Sequence, residues 1–88
     1  MLIPTIVGEK LETEIAQALG RAIRALRLEA NISQEELAFA AGINRNYVSS
    51  LELGQKSASF AMVFRIATAL QVNPAQLVTA VLNDMKES

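Results

Sequence analysis

The most restrictive pattern in this chain lies at residues 34–51, which read QEELAFAAGINRNYVSSL. Ala38 is small at a position where a second helix would pass directly over the first. Gly42 allows the left-handed backbone conformation that ends a helix and redirects the chain. The apolar positions that would close a small core between the two segments are Leu37, Ile43, Val48 and Leu51. This spacing predicts two short helices that cross with a tight turn between them.

Two helices joined in this way form a helix-turn-helix, whose second helix can enter the major groove of DNA. A rotation of about 100° per residue turns Val48 and Leu51 toward the first helix. The residues that would face outward are Arg45, Asn46, Ser49, Ser50 and Leu53. Arg45 can bind guanine O6 and N7 through two hydrogen bonds, and Asn46 can pair with adenine or a phosphate. We therefore predict that this face reads DNA.

An earlier helix is predicted from Leu11 to about Glu29, because apolar residues recur there at three- and four-residue intervals. Gly20 interrupts this helix at a cost of about 1 kcal/mol relative to alanine. We expect another helix to cross close to Gly20.

The residues before this helix contain Pro4 and Gly8 and predict an irregular segment over residues 1–8. We divide the chain into an N-terminal arm, residues 1–10, and one DNA-binding domain, residues 11–86, which includes two helices for dimerisation. The start of the chain is apolar, but it lacks a basic leader and is shorter than a membrane span requires. A cytoplasmic protein with no membrane partner is expected.

Capping residues indicate where the later helices begin. Ser33 and Glu36 form a capping box, and Pro74 stands in the first turn of the last helix. The predicted caps are Ser33, Asn44, Ser59 and Asn73, and the helices that follow them end near Ala41, Leu53, Leu70 and Met85. No segment predicts a strand, so the expected fold class is all-α with five helices.

The composition excludes several classes of protein. The chain has no cysteine and no histidine, which excludes zinc fingers, thiol nucleophiles and histidine-based acid–base catalysis. Its nine carboxylates form no pair with a nucleophile and no set of metal ligands at a useful spacing. We expect neither an enzyme nor a cofactor, and no small-molecule ligand is indicated.

The net charge of -1 opposes a role in binding nucleic acid. The charge is unevenly distributed, however: residues 21–56 hold five basic and four acidic side chains, whereas the flanks hold three and five. The basic region is therefore local and weak. Contacts with phosphate would have to come largely from neutral donors and helix N-termini, in two copies of the chain.

The chain from about Leu19 to Val78 resembles the helix-turn-helix domain shared by lambda-type phage repressors, xenobiotic-response-element (XRE) regulators and the controller proteins of restriction-modification systems. Three segments carry the resemblance: LGRAIRALR, SQEELAFAAGINRNYVSSLELGQ and FAMVFRIATALQVNPAQLV. The resemblance implies a compact five-helix, lambda-repressor-like fold with the helix-turn-helix in helices 2 and 3. It also implies transcription regulation through specific binding of double-stranded DNA.

The resemblance assigns roles to individual residues. Arg45, Asn46 and Ser50 stand where the family contacts bases, and Gln34 stands where it binds a phosphate. With Lys56 as a possible backbone clamp, the predicted DNA-binding set is Gln34, Asn44, Arg45, Asn46, Tyr47, Ser49, Ser50 and Lys56. Tyr47 is equally compatible with a position on the domain surface, its hydroxyl in water. Leu53 departs from the family, which commonly has a basic or polar residue there.

Two charged residues are assigned to structure by the same resemblance. Arg27 and Glu52 stand where the family has a partly buried ion pair between the first helix and the end of the third. Arg21 and Arg24 are interpreted as solvated helix charges, with Arg24 the better candidate for a phosphate contact.

The last two helices predict a homodimer. The inward stripe of the fourth helix is expected to be Phe60, Val63, Ile66, Ala67 and Leu70, yet other residues of this helix are apolar too. The predicted dimer interface is Met62, Phe64, Val78, Val81, Leu82 and Met85. A two-fold axis would cover these groups with the same patch of a second copy. Alternatively, the arm or the first helix covers them within one chain.

The leading functional prediction is a homodimeric transcriptional regulator on a pseudo-palindromic operator. The segment NRNY at residues 44–47 resembles a DRSY-like segment found in many controller proteins. This resemblance favours the restriction-modification controller type. The alternative is an antitoxin or protein-interaction module on the same fold, which the acidic pI of 5.3 and the apolar C-terminal region favour.

Overall fold

The computed structural model describes residues 6–87, and over this range it contains five α-helices and no strand. The helices are α1 (Ile6–Glu29), α2 (Gln34–Ala41), α3 (Arg45–Glu52), α4 (Phe60–Ala69) and α5 (Pro74–Glu87). The predicted fold class, all-α with five helices, is confirmed. None of the described helices is long and apolar enough to cross a membrane.

The first helix begins earlier than the sequence pattern indicated. α1 starts at Ile6 rather than Leu11, so the part of the predicted irregular arm from residue 6 onward is helical. Gly8 lies in open surroundings, and Glu9 stands in the first turn, where a carboxylate complements the positive end of the helix dipole. One glycine costs too little to stop a helix that continues for several more turns. Residues 1–5 of the predicted arm lie outside the described residues.

The other four helices begin at the predicted capping residues, each of which accepts a local hydrogen bond. Ser33 Oγ accepts from the Glu36 N–H at 3.0 Å, and Glu36 Oε1 accepts from the Ser33 N–H at 2.8 Å, which completes the capping box. Asn44, Ser59 and Asn73 each accept a hydrogen bond from a backbone N–H in the following turn. The ends of α3 and α4 differ from the prediction by one residue, because Leu53 and Leu70 act as C-caps.

One hydrophobic core draws side chains from all five helices. Its largest fully buried members are Ile23, Leu37, Val48, Leu51, Ile66 and Leu77. Complete burial of each such side chain contributes about 1.5–3 kcal/mol relative to exposure. These contacts hold α3 against α1 and α2, so the position of α3 is set from within the chain.

The predicted close crossing at Gly20 is confirmed. A Cβ atom at this position would overlap the carbonyl oxygen of Leu51 and would stand 2.7 Å from that of Glu52. The backbone of α1 therefore lies directly against the C-terminal end of α3. Gly54 follows in the left-handed conformation, with a φ of +73°, and a Cβ atom there would stand 3.0 Å from the side chain of Gln17 in α1.

Two predictions about core and interface residues are wrong. Phe60, predicted to point inward, is 78% exposed, because it is the first residue of α4 and precedes the part of the helix that meets the core. Val81, predicted at the dimer interface, is buried in the core of its own chain, because α1 packs over this part of α5. Arg21 is exposed, as expected of a solvated charge, and it also forms an ion pair with Asp84.

The Arg21–Asp84 pair joins α1 to α5. Arg21 Nη2 lies 2.6 Å from Asp84 Oδ1, and Arg21 Nε donates to both carboxylate oxygens at 3.0 Å. The hydrogen bonds from Arg21 lower the pKa of Asp84 below its ordinary value. Because both groups reach solvent, this pair fixes the relative position of the helices more than it adds stability.

Candidate nucleic-acid interface

Helix α3 has one face in the core and one face at the surface. Val48 and Leu51 are each 1% exposed, which anchors the inner face. On the outer face Arg45 and Asn46 are exposed, and Ser49 and Ser50 are half-buried. The structure thus presents the four predicted reading residues of α3 on the side that its core contacts leave open.

The N-terminus of α3 is closed by Asn44. Its Oδ1 accepts a hydrogen bond from the Asn46 N–H at 2.6 Å, which satisfies one of the unpaired donors of the first turn. The bond uses the acceptor oxygen of Asn44 and leaves its Nδ2 group as a donor. Since Asn44 is exposed beside Arg45, its amide is placed to reach a nearby phosphate or base edge.

The C-terminal end of α3 is tied to α1 by a buried ion pair. Arg27 Nε donates to Glu52 Oε2 at 2.7 Å, and Arg27 Nη2 donates to Oε1 at 3.1 Å. The side chains of Arg27 and Glu52 are only 10% and 3% exposed. The hydrogen bonds that Arg27 donates to Glu52 raise the pKa of Arg27 above its ordinary value. Arg27 is therefore a structural residue and not part of the DNA-facing surface.

Gln34 belongs to the same network. Its Nε2 donates to Glu52 Oε1 at 3.0 Å, so one of its two amide hydrogens is occupied inside the protein. Gln34 is the first residue of α2 and half-buried, and its backbone N–H is among the unpaired donors of that helix start. The predicted phosphate contact at Gln34 stays a prediction, with the second amide hydrogen and the helix N-terminus as its donors.

Tyr47 and Lys56 are brought together by the loop after α3. The Tyr47 hydroxyl donates to the carbonyl oxygen of Ser57 at 3.3 Å, and the ring packs against the core. Lys56 is exposed in the same loop. The described contact of Tyr47 is therefore with the loop, which it holds next to the start of α4. Leu53 is 67% exposed and adds an apolar group beside the reading face.

Sequence reasoning missed Arg65, which contacts the turn between α2 and α3. Its Nη2 donates to the carbonyl oxygens of Ala41 at 2.8 Å and of Gly42 at 2.9 Å. The signal that could have indicated it is the absence of any basic residue in the last turn of α2. The C-terminal end of a helix carries a partial negative charge, so an end without a basic residue of its own favours contact with a basic residue from another helix.

A profile for the helix-turn-helix family matches residues 23–77. Control protein C.BamHI of Bacillus amyloliquefaciens is 35% identical over 69 residues, which cover 77% of this chain and 85% of that protein. An uncharacterised transcriptional regulator of helix-turn-helix type from Sinorhizobium fredii, y4dJ, is 32% identical over 75% of this chain and 86% of its own length.

Solved structures give the same assignment. The restriction-modification controller protein C.AhdI from Aeromonas hydrophila is 39% identical, with a TM-score of 0.68 over 70% of this chain and 94% of that one. The clp gene regulator ClgR from Corynebacterium glutamicum is 30% identical, with a TM-score of 0.77 over 81% and 92%. The residues that the family profile matches include α2, the turn and all of α3. With its fold, its crossing helices and these relatives, the chain belongs to the helix-turn-helix family of DNA-binding regulators.

Proposed function

We propose that this chain is a transcriptional regulator of the restriction-modification controller type, which binds a pseudo-palindromic operator as a homodimer. The observation that carries the proposal is α3, whose inner face is buried while Arg45 and Asn46 are exposed at its N-terminal end. A recognition helix contacts base edges with the residues near its N-terminus. The relatives named as control proteins support the same function.

Each predicted DNA-binding residue takes a distinct role in this proposal. Arg45 reads guanine through two hydrogen bonds, and Asn46 reads adenine or binds an adjacent phosphate. Ser49 and Ser50 allow the helix to approach closely because their side chains are short. The phosphate contacts come from Gln34, Asn44 and Lys56. Tyr47 holds the loop that carries Lys56, through its hydrogen bond to Ser57.

The proposed dimer uses the apolar residues of α4 and α5 that the chain does not cover itself. Phe64, Val78 and Leu82 are 46%, 44% and 53% exposed. Met62 and Met85 are half-buried and pack against the core, to which Val81 belongs. Residues 11–86 form the working unit in this proposal. It acts in the cytoplasm and catalyses no reaction.

A second candidate function is an antitoxin or protein-interaction module. An apolar groove of about 380 Å³ runs between α1, α4 and α5, and it is lined in part by Leu11, Ile15, Val63 and Leu82. Such a groove is the kind of surface that a partner protein would cover. The exposed Arg45 favours DNA, since a module that only holds a protein has no need of an open reading face.

A mobility-shift assay separates the two functions. The probes are a duplex from upstream of the chain's own reading frame and a shuffled duplex of equal length and composition. We expect the first to shift at a protein concentration at least about tenfold lower than the second, since specific binding exceeds non-specific binding by far more than this. Equal shifts of both duplexes would contradict the proposal and favour the interaction module.

A further inference from the structure

The C-terminal end of α2 leaves backbone carbonyls without partners inside the helix. The turn satisfies two of them: the Gly42 N–H donates to Phe39 O at 3.2 Å, and the Ile43 N–H donates to Ala38 O at 2.9 Å. Gly42 takes the left-handed conformation that this arrangement requires, with a φ of 70°. The carbonyl of Ala41, at the negative end of the helix dipole, receives nothing from the turn itself.

Arg65 of α4 supplies the missing donors. Its Nε and Nη2 both donate to Ala41 O, at 3.2 and 2.8 Å, and Nη2 also donates to Gly42 O at 2.9 Å. A charged donor forms a stronger hydrogen bond than a neutral one. The guanidinium therefore joins α4 to two successive carbonyls of the turn.

Gly42 makes this contact possible in two ways. The first is its positive φ, which other residues rarely adopt. The second is its lack of a side chain: a Cβ atom here would stand 3.0 Å from Arg65 Nη2, so the guanidinium occupies the space where a side chain would begin. The glycine and the arginine thus form one unit.

The bonded carbonyls lie just before the reading helix. Asn44 caps α3 and Arg45 is its first residue, so only Ile43 separates the contact at Gly42 from the cap. At its other end α3 is held to α1 by the Arg27–Glu52 pair. The reading helix is therefore fixed at both ends by arginines from other helices.

We infer that Arg65 is a positioning residue for DNA recognition: by holding the Ala41 and Gly42 carbonyls it fixes the start of α3 relative to α4, without touching DNA itself. The inference rests on the proposed function. Because α4 also carries Phe64, the contact connects the reading helix to the proposed dimer face. In the proposed dimer, the distance and the angle between the two reading helices are then fixed.

The test compares Arg65→Ala with Arg21→Ala. Both variants lose one positive charge and one arginine with several hydrogen bonds, but Arg21 joins α1 to α5 and makes no contact with the turn. The probes are a duplex that the wild-type chain enriches from a random-sequence pool and a shuffled duplex. We expect Arg65→Ala to bind the enriched duplex about tenfold more weakly than Arg21→Ala, the scale of one charged hydrogen bond. On the shuffled duplex the two variants should bind alike.

The salt dependence separates positioning from direct contact. Loss of one phosphate contact lowers the slope of log K against log salt by about 0.9, whereas loss of positioning leaves the slope unchanged. Equal affinities of the two variants for the enriched duplex, or a slope reduced in Arg65→Ala alone, would overturn the inference. If Arg65→Ala does not fold by circular dichroism, Arg65→Lys, which keeps the charge but lacks the planar fork, should show a smaller loss in the same direction. Failure of the wild-type chain to enrich any duplex would instead refute the proposed function.

Discussion

At the scale of single residues, the exposed reading face depends on buried polar residues behind it. Arg27, Glu52 and Gln34 share one network, and Arg27 also donates to the carbonyl oxygen of Ile32 at 2.9 Å. No described buried side-chain nitrogen or oxygen lacks a hydrogen-bond partner. A network in which every polar group has a hydrogen-bond partner favours one geometry, because moving any of its side chains would leave a buried charge without a partner. The orientation of α3 and the position of Gln34 are therefore set together.

Arg45→Ala should weaken binding to the cognate duplex by about 1–3 kcal/mol and reduce the preference for guanine at one position, because a two-bond contact with a base is lost. Titration of a set of duplexes with single base changes measures both effects. Lys56→Ala is the matched control, since removal of a phosphate contact weakens binding equally on all sequences. An equal loss on cognate and random DNA would show that Arg45 contacts only phosphate.

Glu52→Ala should lower the free energy of unfolding by about 3 kcal/mol, because it leaves Arg27 charged and unpaired where both side chains are largely buried. Glu14→Ala, which removes an exposed carboxylate from α1, serves as the control and should change stability little. Urea denaturation of the two variants and the wild type gives the comparison. Equal midpoints for the two variants would remove the ion pair from the account of stability.

At the scale of helices, the starts were predictable because the determining contacts are local. Ser33 meets the N–H of Glu36 and Asn44 meets that of Asn46, so a short stretch of sequence contains both partners. The start of α1 was predicted wrongly because Gly8 carries a weaker signal than Pro or a cap would. Helix existence was therefore more predictable than helix length.

Contacts between helices were less predictable. Arg65 and Ala41 are 24 residues apart, and Arg21 and Asp84 are 63 apart, so their pairing depends on how the helices cross. The same holds for Val81, whose burial depends on where α1 lies. For the candidate site, the residues on the outer face of α3 could be named from their spacing on one helix. Arg65, which contacts the turn before α3 from α4, could not.

Gly20→Ala should destabilise the chain severely, by more than about 4 kcal/mol, because an added methyl would overlap the backbone oxygen of Leu51 rather than a movable side chain. Gly8→Ala is the control: it lies in α1 with nothing near an added Cβ, and it should be neutral or stabilising. Thermal unfolding followed by circular dichroism measures both. A folded Gly20→Ala protein with an unchanged melting temperature would contradict the described crossing of α1 and α3.

At the scale of the whole molecule, two regions of the described surface each bring several apolar side chains together. Phe60 and Phe64 form one on α4, with their rings at 5.0 Å in an edge-to-face arrangement. Leu11 and Ile15 of α1 extend the second, around the groove beside α5. A domain this small buries only part of its apolar surface within one chain, so it leaves both regions exposed. The proposed dimer draws on both, with Phe64 from the first and Val78 and Leu82 from the second.

Phe64→Glu should produce monomers and weaken operator binding, because a carboxylate would be buried without a partner in the proposed dimer. Ala25→Glu, at an exposed position of α1, introduces the same charge and should leave the dimer intact. Light scattering at micromolar concentration gives the mass of each variant. A wild-type mass equal to one 9.5-kDa chain would contradict the proposed dimer.

The spacing of two half-sites tests the central claim most directly, because it requires both a reading helix and a two-fold dimer. The measurement is the affinity of the wild-type chain for a duplex with two inverted copies of its enriched half-site, centred about 34 Å apart, one turn of DNA. A second duplex has the same half-sites moved by half a turn, onto opposite faces of the DNA. We predict binding to the second duplex about tenfold weaker or worse, since only one half-site can then be contacted. Equal affinity for the two duplexes would contradict the account.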